Sequence, residues 1–147
     1  MVWVGGPPTE RRIAAILAGD MVGYSRLTEL DEAGTLSRHR LHMAEAITPA
    51  IERLGGHIFK TTGDGMIAEF GSVIEAVKCA VAIQKDMAAR EASQPDDRRI
   101  QYRIAVNLGD VVFEDGDVFG DGVNIAARLE ALAEPGGRLI AGQRPDA

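Results

Sequence analysis

Asp20 and Asp64 are the residues of this chain best placed to handle hard cations. Each lies where an apolar stretch gives way to a glycine-bearing turn, in Ala18-Gly19-Asp20-Met21-Val22-Gly23 and in Lys60-Thr61-Thr62-Gly63-Asp64-Gly65. Carboxylate oxygens suit magnesium or manganese, and the glycines let backbone N–H groups come close to a phosphate, so each turn can hold one side of a metal–nucleotide complex. A single aspartate in such a turn is ordinarily a turn former. The pair, with what surrounds it, points to chemistry.

The elements that must position these turns follow from the pattern of apolar residues. The run 13–18 predicts a buried strand with Asp20 at its carboxyl end. A helical segment is expected next, with Leu36, Met43, Ile47, Ile51 and Leu54 at helical spacing between Glu32 and Leu54, a kink or break at Pro49 and a stop at Gly55-Gly56. Strands at 57–61 and 66–70 joined by Thr62-Gly63-Asp64-Gly65 predict a hairpin that presents Asp64 at its tip. Val73, Val77, Ala80, Val81, Gln84 and Met87 describe one face of a helix over 72–90, with Ser72 as its N-cap. After a polar loop at 91–99, Tyr102, Ile104, Val106 and Leu108 alternate as a half-buried strand does, and Gly109-Asp110 is read as its end or bend. A short strand near 111–114, a loop at 115–121 and a helix over 122–132 complete the order, closed by Glu134-Pro135-Gly136-Gly137. The order β-α-β-β-α-β, with further strand and helix pieces, predicts an α+β domain: a ferredoxin-like core with a mixed, mainly antiparallel sheet covered by helices.

Composition narrows the function classes. At 147 residues and 46% apolar the chain fits one globular domain, and a net charge of −6 argues against a nucleic acid polymer or an anionic membrane as partner. Cys79 is the only cysteine, which excludes a disulfide framework within the chain and suits a buried core position. No apolar run is long enough for a signal peptide or a bilayer span, so a cytoplasmic protein, or a cytoplasmic domain of a larger one, is expected. His39, His42 and His57 lack metal-ligand spacing, and Asp110, Asp115 and Asp121 read as loop and cap residues.

Three blocks, Leu17 to Ser25, Gly55 to Gly65 and Asp117 to Leu129, closely resemble the class III nucleotidyl cyclases and occur in that family's order. The resemblance runs from about Arg12 to Ile140, and it divides the chain into an extension at 1–11 and a catalytic domain at 12–147. It implies attack of a ribose 3′-oxygen on the α-phosphorus of a nucleoside triphosphate, with two Mg2+ or Mn2+ ions held by Asp20 and Asp64. The backbone of Met21, Val22 and Gly23 is implied to meet the triphosphate. Lys60 and Asp117 match the family's purine readers; a carboxylate accepts from the amino group of adenine and an ammonium donates to a ring nitrogen, which favours ATP over GTP. Asn124 and Arg128 match the pair that orients the ribose and neutralises charge on the α-phosphate, and they share a helix face at a spacing of four. In the family the metal aspartates come from one protomer and the other four residues from its twin, so a homodimer with composite sites is implied.

The resemblance departs at one point. Family members continue past the last block into a hairpin bearing a phosphate-contacting lysine, and no lysine follows Lys85 here, so that hairpin is expected to be missing. This keeps a non-catalytic nucleotide-sensing or dimerisation module as the alternative function. The bland alternative for Arg128 is a surface ion pair with Glu130 or another surface acid, worth little energetically. Two other classes fit less well: a sheet-based RNA binder, given the few aromatics, and a diguanylate-type cyclase, whose acidic Gly-Gly hairpin signature is absent from Thr62-Gly63-Asp64-Gly65.

Overall fold

The computed structural model of the chain describes residues 9–141. Expectations that fall on 1–8 and 142–147, including the short N-terminal extension and the end of the domain at 147, lie outside the described residues. Six strands and four helices follow one another as β1 (Thr9–Met21), α1 (Tyr24–His42), α2 (Thr48–Arg53), β2 (His57–Thr61), β3 (Gly65–Phe70), α3 (Val73–Arg90), β4 (Tyr102–Glu114), β5 (Asp117–Phe119), α4 (Asp121–Leu132) and β6 (Arg138–Ala141), with a π-helical turn at Met43–Ile47 between α1 and α2. The strand order is β2-β3-β1-β4-β5, antiparallel throughout, and β6 adds to β4 in parallel. This is the expected ferredoxin-like βαββαβ core with added pieces.

β1 is buried on both faces because the sheet is covered on both. Ala15, Leu17 and Met21 pack with β3, β4 and the helices α1 to α3 in the larger core. Ala14, Ile16 and Ala18 face the other way, onto Val111, Val118 and Ala126 of α4. The continuous apolar run of β1 is what a strand between two layers requires. Cys79 lies in the larger core, where burial pushes its thiol up to about 12, so it behaves as a small apolar side chain.

Several boundaries differ from expectation for local reasons. α1 begins eight residues before Glu32 and kinks at Asp31 (φ −162°, ψ 86°), whose Oδ1 accepts from the Gly34 N–H at 3.0 Å and so caps the second half of the helix. Pro49 lies in the first turn of α2, where its missing N–H costs nothing, and the break comes at the π-helical turn before it. Ser72 precedes α3 in an extended conformation without a side-chain cap bond. Gly109-Asp110 does not end a strand; β4 runs straight through to Glu114. The glycine instead admits α4: a Cβ at Gly109 would stand 3.0 Å from the Gly122 Cα, and one at Gly122 would stand 2.8 Å from the Asp110 carbonyl oxygen. Asn107 Nδ2 donates to the Gly122 oxygen at 3.1 Å and fixes this contact. Residues 117–119 form β5 rather than loop.

Candidate active site

Asp20 and Asp64 are brought together by the pairing of β1 with β3. Asp20 stands opposite Gly65, and the Met21 N–H donates to the Asp64 carbonyl oxygen at 2.9 Å. A side chain at position 65 would collide with this arrangement, since its Cβ would lie 2.5 Å from the Gly19 oxygen and 2.9 Å from the Asp20 Cβ. Both aspartates are half-buried. The Val22 N–H donates to the Gln101 oxygen at 2.8 Å, and Gly23 adopts φ +63°, the left-handed conformation that turns the chain into α1. Met21 and Val22 therefore hold the turn with their N–H groups. Of the three positions expected to face phosphate, Gly23 alone keeps an N–H without a partner among the described hydrogen bonds, at the N-terminal end of α1.

Glu130, a residue the sequence reading treated as a surface partner for Arg128, is buried at 8% exposure and faces the sheet. Burial first, then the neighbouring Asp20 carboxyl, push its carboxyl up to about 8, against the opposing pull of Arg103. Its Oε1 has no hydrogen-bond partner among the described residues. Asp20, Arg103 and Glu130 meet because Asp20 pairs with Arg103 across β1 and β4, and the Arg103 Nε donates to the Ala133 oxygen at the end of α4 at 2.9 Å. The signal in the sequence was a glutamate at the third place of the stripe Gly122, Ala126, Glu130, which is otherwise small or apolar.

Asn124 and Arg128 are exposed. At 3.6 residues per turn, an offset of two from Ala126 and Glu130 places them on the far side of α4 from the sheet and from Asp20. The chain thus carries its carboxylates and its Asn/Arg pair on opposite sides of one helix. Lys60 reaches its face through a β-bulge: the register with β3 shifts between Ile58 and Lys60, so Ile58 opposes Ala68 of the larger core and Lys60 opposes Ile67 of the α4 side. Asp117 opens β5, half-buried, with its Oδ1 accepting from the Val118 N–H at 2.8 Å. The sheet curls, so that β2 and β5 come within 8 Å of each other between Cα atoms and Phe59 packs on Phe113 at 5.2 Å. Among the described residues no ion pair joins Lys60 to Asp117, nor do three acidic, histidine or cysteine side chains lie close enough to chelate one ion as they stand.

The donor set nevertheless fits divalent cations. Two carboxylates on adjacent turns, Asp20 and Asp64, offer hard oxygen donors of the kind that magnesium or manganese takes, with water and phosphate oxygens to complete a shell.

A second buried network supports the turn from beneath. His39 Nδ1 and the Tyr102 hydroxyl lie 2.6 Å apart; burial pushes the phenol up and the imidazole down, so the hydroxyl donates to a neutral ring. His42 Nδ1 accepts from Arg90 Nε at 2.9 Å, its Nε2 pairs with Glu91 Oε2 at 2.9 Å, and Glu91 also pairs with Arg38 and accepts from the Ile100 N–H at 2.7 Å. His57 packs edge-on against Phe59.

Residues 10–142 match the family described as the adenylate and guanylate cyclase catalytic domain. A protein of Rhizobium meliloti (strain 1021), provisionally named adenylate cyclase 3, is 56% identical over 133 residues, covering 88% of this chain and 22% of the relative. An adenylate cyclase of Streptomyces coelicolor is 29% identical over 89% of this chain and 32% of its own length. This chain therefore spans about a fifth to a third of the curated relatives it matches. Among solved structures, an adenylate/guanylate cyclase/hydrolase from Silicibacter pomeroyi superimposes with a TM-score of 0.85 at 55% identity, covering 90% of this chain and 77% of that one. The adenylyl cyclase CyaB from P. aeruginosa superimposes with a TM-score of 0.78 at 25% identity, covering 90% and 78%. No helix among the described residues is long and apolar enough to cross a membrane. By sequence and by fold, the chain belongs to the adenylate and guanylate cyclase catalytic domain family.

Proposed function

We propose that the chain is an adenylate cyclase domain that converts ATP to 3′,5′-cyclic AMP and pyrophosphate at two composite sites of a homodimer. The observation that carries this reading is the division of α4, with Glu130 turned toward Asp20 and with Asn124 and Arg128 turned away from it. A single chain presents two half-sites, and a two-fold pair completes both. An exposed apolar residue on the same outward side of α4 supports that face as an interface: Leu132, one turn beyond Arg128, is 74% exposed.

In this reading Asp20 and Asp64 would hold two Mg2+ or Mn2+ ions, which when bound would supply Lewis acidity to the reacting oxygens. The Gly23 N–H and the start of α1 bind phosphate oxygens, and the rigid pairing of β1 with β3 keeps the two carboxylates in register during the reaction. From the partner copy, Asp117 accepts from the adenine amino group and Lys60 donates to a ring nitrogen. Asn124 orients the ribose, and Arg128 spreads its donor fork over the α-phosphate as charge gathers there. The ribose 3′-oxygen bonds to the α-phosphorus as its proton passes to solvent, the bond from the α-phosphorus to the bridging oxygen breaks, and pyrophosphate leaves with that oxygen.

The test is turnover of ATP and of GTP, measured separately with Mn2+, by the wild type and by Lys60→Ala and Asp117→Ala. The expected result is cyclic AMP from the wild type, little cyclic GMP, and a loss of base preference in both variants. Nucleotide binding without turnover in the wild type overturns catalysis and favours a sensing or dimerisation module; equal turnover of both nucleotides overturns the base assignment.

A further inference from the structure

We propose that the cavity between the end of α1 and the β2–β3 hairpin is a binding site for a small organic carboxylate, with His39 and Arg40 taking the charged end and an apolar wall taking the body. The site uses neither Asp20 nor Asp64 and is independent of the cation assignment.

The cavity has a volume of about 500 Å3, within the range of small-molecule sites. His39 lines it from α1 and is more than nine-tenths buried. Its Nδ1 stands 2.6 Å from the Tyr102 hydroxyl, which donates to it, so the ring proton sits on Nε2, and that N–H has no acceptor among the described hydrogen bonds. Buried polar groups are nearly always paired with protein, water or a ligand. Arg40, the next residue, is exposed at the same cavity and joins no ion pair among the described residues. Thr48 and Thr61 add hydroxyls, and no carboxylate lines the cavity, so what its donors lack is an anion. Leu36 and Met43 supply an apolar wall, which suits a hydrocarbon body and not a bare oxyanion that gives up its hydration on entry. The helix swells into a π-helical turn at Met43–Ile47 along this wall, and such turns recur at functional sites. Residues 61–63 form the opposite wall, so an occupant sits against the hairpin that carries Asp64.

The experiment is a titration of the chain with sodium benzoate above neutral pH, followed by NMR of the histidine ring protons, with the melting temperature of each variant recorded beside it. The expected result is a saturable shift of the His39 signals while those of His57, on β2, stay in place. Arg40→Ala, which removes an exposed side chain, is expected to weaken binding roughly tenfold, the worth of a charge-assisted hydrogen bond. Ala44→Trp, which fills the cavity from an exposed position on its helix side, is expected to abolish binding. Benzyl alcohol, the same body without the charge, and acetate, the charge without the body, are each expected to bind roughly tenfold or more weakly than benzoate. If Ala44→Trp does not fold, Arg40→Ala carries the test. A benzoate titration with no saturable His39 shift, or with an equal shift at His57, overturns the proposal. Unchanged affinity in folded Arg40→Ala, or benzyl alcohol bound as tightly as benzoate, overturns the charged end, and inorganic phosphate bound as tightly as benzoate overturns the apolar one.

Discussion

Replacing Gly65 with alanine tests whether the spacing of β1 and β3 sets the carboxylate pair. The new methyl group would stand 2.5 Å from the Gly19 carbonyl oxygen and 2.9 Å from the Asp20 Cβ, and both are fixed by the ladder between the strands. Ordinary contact begins at 3.4 Å, so the turn carrying Asp64 has to withdraw by about 0.9 Å or the pairing has to open. Overpacking of this kind costs about 1–3 kcal/mol. For a domain of this size that is a fall of roughly 3–10 °C in melting temperature. Activity should fall further than stability, because a misplacement near 1 Å costs on the order of 100-fold in turnover. The assay pairs a thermal melt with cyclic AMP production at saturating Mn2+. Gly19→Ala is the control: its methyl would meet the Met66 Sδ at 2.8 Å, the far end of a flexible side chain, so it should be much milder. A Gly65→Ala protein that melts and turns over as the wild type does would refute the reasoning.

Other outcomes follow from the same structure. Asp64→Ala should abolish turnover yet leave the melting temperature nearly unchanged, since the backbone carbonyl of Asp64 and not its carboxylate holds Met21; a circular-dichroism melt beside the activity assay checks both. Glu91→Ala removes a buried acceptor of Arg38, His42 and the Ile100 N–H and should destabilise the domain by about 3–5 kcal/mol, read by chemical denaturation. His39 and His42 have their pKa values lowered by burial, so the fold prefers them neutral. Their contribution is present above the unfolded value of 6.5 and is lost as pH falls below it, and melting temperatures taken from pH 7.5 down to 5.5 should decline accordingly.

Much of the fold was legible because β1, α3 and the β2–β3 hairpin state their periods plainly. The run 13–18 reads as a buried strand, and residues 14–18 are buried on both faces of the sheet while Ile13 is 70% exposed; Asp64 sits at the hairpin tip its Asp-Gly pair announced. Gly109 was misread because a glycine that ends a strand and a glycine that admits a helix look alike in sequence, and only the Gly122 contact tells them apart. The face occupied by Lys60 depends on a bulge that strict alternation does not encode. For Met21 and Val22, residue type says nothing about whether an N–H is already engaged, and here the partners are the carbonyls of Asp64 and Gln101, which are distant in sequence. Glu130 was overlooked because charge suggested surface, although its place on the stripe with Gly122 and Ala126 pointed inward.

The composite site is tested most directly by co-expressing two inactive variants, Asp64→Ala and Arg128→Ala, and measuring cyclic AMP production by the mixed population. Random pairing makes half the dimers mixed, each with one site built from two intact halves, so about a quarter of wild-type activity should return. Mixed dimers that are isolated by two different tags and remain inactive would contradict the account.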